Sequence, residues 1–135
     1  IRVWHTKTKR FWGILIMKDV NKIIEEYRNN AVLHWNASRE GDYKTANKSY
    51  AKLSQIYKLL IQSEELSKNV LLNLLNDQNY AVQLWAASHC LALENSKEGA
   101  VLKLELISKM SSNEAPSFEA KMILNEWREK GKLTL

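Results

Sequence analysis

The stretch Asn79–Leu93, NYAVQLWAASHCLAL, constrains the fold more than any other part of the chain. It has helical length and is apolar over most of its circumference. Ala81, Ala86 and Ala87 let a second backbone come close, while Val82, Trp85, Cys90 and Leu93 fill space. A helix apolar nearly all round needs neighbours on several sides, so it belongs inside a stack of helices. The polar break Asp77–Asn79 precedes it, and an Asn or Asp there can accept the first free helix N–H groups.

The rest of the composition agrees with a helical stack. Pro occurs once and Gly four times in 135 residues, and no β-hairpin turn signal is present. Apolar residues make up 45% of the chain, enough for one domain with a real core and too short a chain for two. A single cysteine, Cys90, rules out an internal disulfide framework and permits a reducing compartment. A cytoplasmic location is expected.

Periodicity resolves six helices, which the short connections arrange as about three antiparallel pairs. The first covers about 18–38, with Val20, Ile23, Ile24, Tyr27, Ala31, Leu33 and His34 on one face. Gly41 ends it and Asp42 can cap the next. The second runs over about 43–62, where Tyr43, Tyr50 and Tyr57 recur every seven residues as one stripe. The third follows Ser63, with Glu64 and Glu65 at its positive end and Leu66, Val70, Leu71, Leu74 and Leu75 facing inward. The fourth is the alanine-rich helix. Asn95 and Glu98 have N-cap and N3 spacing for a fifth over about 97–109. Pro116 suits the first turn of a sixth, which holds the apolar residues Phe118, Met122, Ile123 and Trp127 and stops at Gly131. Pairs recurring at roughly 35–40 residues predict an all-α fold, a short α/α superhelix of the HEAT or armadillo kind.

The net charge of +5 is unevenly placed. Residues 1–16 hold Arg2, Lys7, Lys9 and Arg10 and no acid, which leaves 16 basic against 15 acidic residues over 17–135. The predicted domain is 17–135, and 1–16 is a basic leader. Either Met17 marks a natural start or boundary, or the leader is an amphipathic extension packed on the domain. Its apolar run is far too short to span a bilayer. Lys44, Lys48 and Lys52 form a stripe on the second helix. A near-neutral domain without clustered arginines argues for a solvated face there and against direct nucleic-acid binding.

Catalytic and metal signatures are missing. His89 and Cys90 are adjacent and diverge by about 100° on a helix, so they cannot easily share a metal ion. Glu25 and Glu26 diverge in the same way and cannot act as converging acid and base. No glycine-rich phosphate loop or nucleophile elbow is present. No cofactor is expected, and the chain is read as non-enzymatic.

The segments DQNYAVQLWAASHCLAL (77–93) and SFEAKMILNEWREKGKL (117–133) resemble a small bacterial HEAT-like family of unknown function. Its members share a D-x-x-x-V-x-x-W-A-A helix and a closing F-x-A-x-x-x-L-x-E-W helix. The block YKTANKSYAKLSQIYKLL (43–60) resembles the family's early A-N-x-x-x-x-x-L helix. The likeness spans about 40–133 and consists mostly of packing residues. Such proteins occur among the immunity proteins of contact-dependent and polymorphic toxin systems. The resemblance implies a protein that binds and neutralises a cognate toxin domain, a nuclease and among these a tRNA-cleaving one, by occluding its active or substrate-binding site.

On that reading, the partner-binding residues are Glu26, Trp35, Glu40, Asp42, Tyr43, Asn47, Tyr50 and His89, from the first, second and fourth helices. Aromatic members anchor an interface, and acidic members steer a basic nuclease toward it. Two alternatives remain open at this point: a HEAT-like nucleic-acid binder and a general protein-interaction adaptor. Fold alone does not choose among them.

Overall fold

Local capping chemistry cuts the chain into its helices. The computed structural model describes residues 19–111 and 115–135; the basic leader lies outside these residues. The described residues form six helices: α1 (Val20–Glu40), α2 (Tyr43–Ile61), α3 (Glu64–Leu75), α4 (Tyr80–Leu93), α5 (Lys97–Ser108) and α6 (Ser117–Lys130). Gly41 closes α1 at φ 77°, where a side chain would be strained. The Asp42 carboxylate accepts from the Thr45 N–H at 3.2 Å and from its hydroxyl at 2.6 Å, starting α2. Ser63 Oγ accepts from the Leu66 N–H to start α3. Asn79 Oδ1 accepts from the N–H groups of Ala81 and Val82 at 2.8 and 3.3 Å to start α4.

Connections this short force consecutive helices to run antiparallel. The pairs α1–α2, α3–α4 and α5–α6 each pack along their length, and α1 also bears on α3 and α4. The expected three-pair helical superhelix is the observed fold. At its centre lies α4, which touches α1, α3, α5 and α6. Ala81, Val82, Ala86, Ala87, Cys90 and Leu91 are buried there. They meet Leu71, Leu74 and Leu75 of α3, Leu104 and Ile107 of α5, and Ala120 and Leu124 of α6 in one continuous core. Truncating any of these leucines to alanine removes about 2–5 kcal/mol of stability.

The polar residues buried on α4 all have partners. Gln83 Nε2 donates to the Asp77 carbonyl at 2.5 Å, and Ser88 Oγ donates to the Leu84 carbonyl at 2.9 Å. His89 pairs with Tyr27 of α1. Next to Tyr27, Arg28 of α1 reaches the Asp77 carboxylate at 2.7 Å, and that carboxylate also accepts from the Asn79 N–H. Residues 27 and 28 therefore fasten α1 to α4 and to the connection that precedes it.

One sequence expectation fails, and three apolar residues read from the periodicity are exposed. Asn95 does not cap α5: the preceding residue is Ser96 at φ 55°, without a side-chain cap. Instead Asn95 Nδ2 donates to Ser67 Oγ at 3.0 Å, tying the α4–α5 turn back to α3. Phe118 and Met122 face outward, 67% and 56% exposed, on a side of α6 that no described element covers. Leu33 is likewise exposed on α1.

Candidate functional site

A groove of about 620 Å³ opens between α2 and α6. The helical stripe Tyr50, Ser54, Tyr57, Ile61 forms one wall, with Lys58 beside it. Glu119, Ile123 and Glu126 of α6 form the other. The base is α4, through Ala81, Leu84, Trp85, Ser88 and His89. His34, Trp35 and Ser38 of α1 and Leu133 and Leu135 of the C-terminal tail complete the lining. Each contributing stripe follows the i, i+4, i+7 spacing of one helix face.

The base of the groove is aromatic. The Tyr57 ring lies 4.6 Å from the His89 ring at 32°, and Trp85 meets His89 edge-on at 5.7 Å. His34 and Tyr50 approach Trp85 at 5.2 and 5.8 Å, both edge-to-face. Edge-to-face pairs of this kind add about 0.5–1.5 kcal/mol each beyond area burial. Trp35, half-buried at the rim, has the Arg39 guanidinium 5.6 Å from its ring centroid.

His89 is the polar centre of the cluster. Its Nδ1 lies 2.6 Å from Tyr27 Oη, and the pair is buried. Tyr27 is fully buried with no other partner among the described residues, so its O–H donates to Nδ1 and leaves the imidazole proton on Nε2. Burial pushes the His89 pKa down to about 4, so the ring is neutral at pH 7. Burial lowers the His34 pKa as well, and it raises the tyrosine pKa values of Tyr27 and Tyr57. The groove base is therefore uncharged. Charge sits on its rims, with Lys58 on one side and Glu119 and Glu126 on the other; Glu126 pairs with Lys130 at 3.2 Å.

His89 is not placed to act as a general base. The one basic nitrogen of His89 is occupied by Tyr27, and Nε2 already carries its proton, so neither accepts one from a groove occupant. Cys90 of α4 is buried and outside the groove lining, its thiol pushed up to about 12 by burial. Among the described residues no three His, Cys, Asp or Glu side chains gather as a metal site.

Of the residues singled out from the sequence, the groove brings together Trp35, Tyr50 and His89. Glu26, Glu40, Asp42, Tyr43 and Asn47 are exposed and lie outside its lining. Asp42 is committed to capping α2, and its Thr45 hydrogen bonds hold its carboxyl below the usual range. Tyr43 continues the tyrosine stripe beyond the groove and is 74% exposed. Sequence reasoning missed the acidic wall of α6, although Glu119, Ile123 and Glu126 share one helical face. It also treated Trp85 only as core, whereas it is half-buried and lines the groove.

No helix among the described residues is long and apolar enough to cross a membrane. Comparison with protein-family models, curated proteins and solved structures finds no match.

Proposed function

We propose that the chain is a non-enzymatic binding protein that neutralises a cognate bacterial toxin domain by covering its active or substrate-binding site. The observation that carries the binding part is the aromatic groove on one face of the superhelix. Tyr50 is 48% exposed and Trp35 and Trp85 are half-buried there. Exposed aromatic rings in a concave setting bury large areas at small entropic cost, as interface anchors do. The toxin as partner rests on the resemblance of 77–93 and 117–133 to immunity-type helical proteins. A nuclease partner fits the acidic residues near the groove: Glu119 and Glu126 on α6, and Glu40 and Asp42 at the α1–α2 corner just after the lining residue Ser38. Such acids complement the cationic surface a nuclease uses for phosphate.

Lys44, Lys48 and Lys52 are exposed along α2 and favour a nucleic-acid partner instead. Opposing this, the groove presents two glutamates against a single lysine.

The test is co-expression with the toxin encoded next to the chain's own gene. The protein should restore growth and be retained on the toxin in a pull-down. Tyr50→Asp, at a position exposed enough to tolerate the charge, should lose both. No rescue and no complex would reject the proposal.

A further inference from the structure

The groove contains one polar group that the fold has oriented and left unmatched. Tyr27 occupies Nδ1 of His89, so Nε2 carries the proton. His89 is 3% exposed, and its Nε2–H has no partner among the described residues. No described side-chain nitrogen or oxygen that is sealed from solvent lacks a partner. His89 lines the groove and Tyr27 holds its Nδ1, so Nε2–H is the ring group left to meet a groove occupant. A donor held in a largely apolar recess favours an occupant that accepts from it, because leaving it unpaired costs about 1–3 kcal/mol.

We propose that the base of the groove is a binding site for a small, uncharged, planar molecule carrying one hydrogen-bond acceptor, received by the Nε2–H of His89. Tyr57 and Trp85 flank the His89 ring, and Ile123 stands on the opposite wall. Flat aromatic surfaces around one donor select a flat partner with its acceptor at the edge. A volume of about 620 Å³ lies within the usual range for small-molecule sites, roughly 300–1,000 Å³. No ionised group belongs to the base, so a charged ligand would lose its hydration there without a counter-charge. The proposal does not rest on the toxin reading. It concerns the base of the groove, whatever macromolecule covers the rims.

Quinoline and naphthalene make a matched pair of probes. They share size and shape, and only quinoline has an acceptor, its ring nitrogen. Each is titrated into the isotope-labelled full chain at pH 7.5 and followed by NMR. Quinoline should shift the His89 Nε2–H and Trp85 indole signals and bind about tenfold more tightly than naphthalene, the equivalent of one net hydrogen bond. Tyr27→Phe frees Nδ1 and releases the tautomer, so the preference for quinoline should shrink while naphthalene binding stays the same. The wild-type comparison stands alone where that variant fails to fold. Equal affinities for the two probes, no binding of either, or shifts confined to residues outside the groove would overturn the proposal.

Discussion

Tyr27 and His89, 62 residues apart, share a buried 2.6 Å hydrogen bond that joins α1 to the central helix α4. Their rings meet edge-on at 5.5 Å, so one contact supplies both packing and polarity to the interface of the first two helix pairs. Tyr27→Phe keeps the ring and leaves Nδ1 buried without its donor. It should cost about 1–3 kcal/mol in urea denaturation. An unchanged midpoint would mean that the bond contributes nothing net.

Stability should fall in mild acid. In the folded chain burial holds the His89 pKa near 4, against 6.5 for an unburied histidine. Below pH 6.5 the unfolded chain therefore binds a proton that the native state refuses until about pH 4. The resulting loss accumulates across that window and reaches the order of 3 kcal/mol. The burial of His34 acts in the same direction. Thermal melts between pH 7 and 4 check this, and His89→Gln should flatten the profile. A profile unaffected by that substitution would contradict it.

Glu94→Gly should stabilise the protein. Glu94 ends α4 at φ 55°, in the left-handed region, and its exposed side chain makes no hydrogen bond or ion pair among the described residues. The turn itself is held by backbone bonds from Glu94 and Asn95 to the carbonyls of Leu91 and Cys90. Glycine adopts this conformation without the Cβ penalty, a gain of about 0.5–1 kcal/mol after its larger unfolded-state entropy. Differential scanning calorimetry should show Tm rising by ~2–5 °C.

Cys90 should be inert in the native state. It is fully buried, and its pKa of about 12 leaves almost no thiolate at pH 8. Ellman's reagent should leave the folded protein unmodified and react with one thiol per chain in urea. Rapid labelling of the native protein would place Cys90 at the surface and break the α4-centred packing.

Helix identity was legible because its signals are local. Asp42, Ser63 and Asn79 cap within three residues of themselves, and Gly41 and Gly131 terminate by their own φ. The buried face of α3 followed from leucine spacing alone. The α4–α5 turn was misread because two non-glycine residues, Glu94 and Ser96, adopt positive φ there, and no local preference announces that. Its Asn95 answers to Ser67, 28 residues earlier. The groove was only partly legible for the same reason. Tyr50 and His89 were visible as candidates, but the convergence of Tyr57, Trp85 and His89 depends on how α2 crosses α4. The outward side of Phe118 and Met122 reflects which side of α6 the other described helices cover, which periodicity does not encode.

Hydrogen–deuterium exchange on the purified complex with the proposed toxin partner tests the central claim most directly. Binding through the concave face predicts added protection in α2 around 50–61 and α6 around 119–126, with α3 and the outer side of α5 unchanged. Protection confined to α3 and α5, with α2 and α6 exchanging as in the free protein, would contradict it.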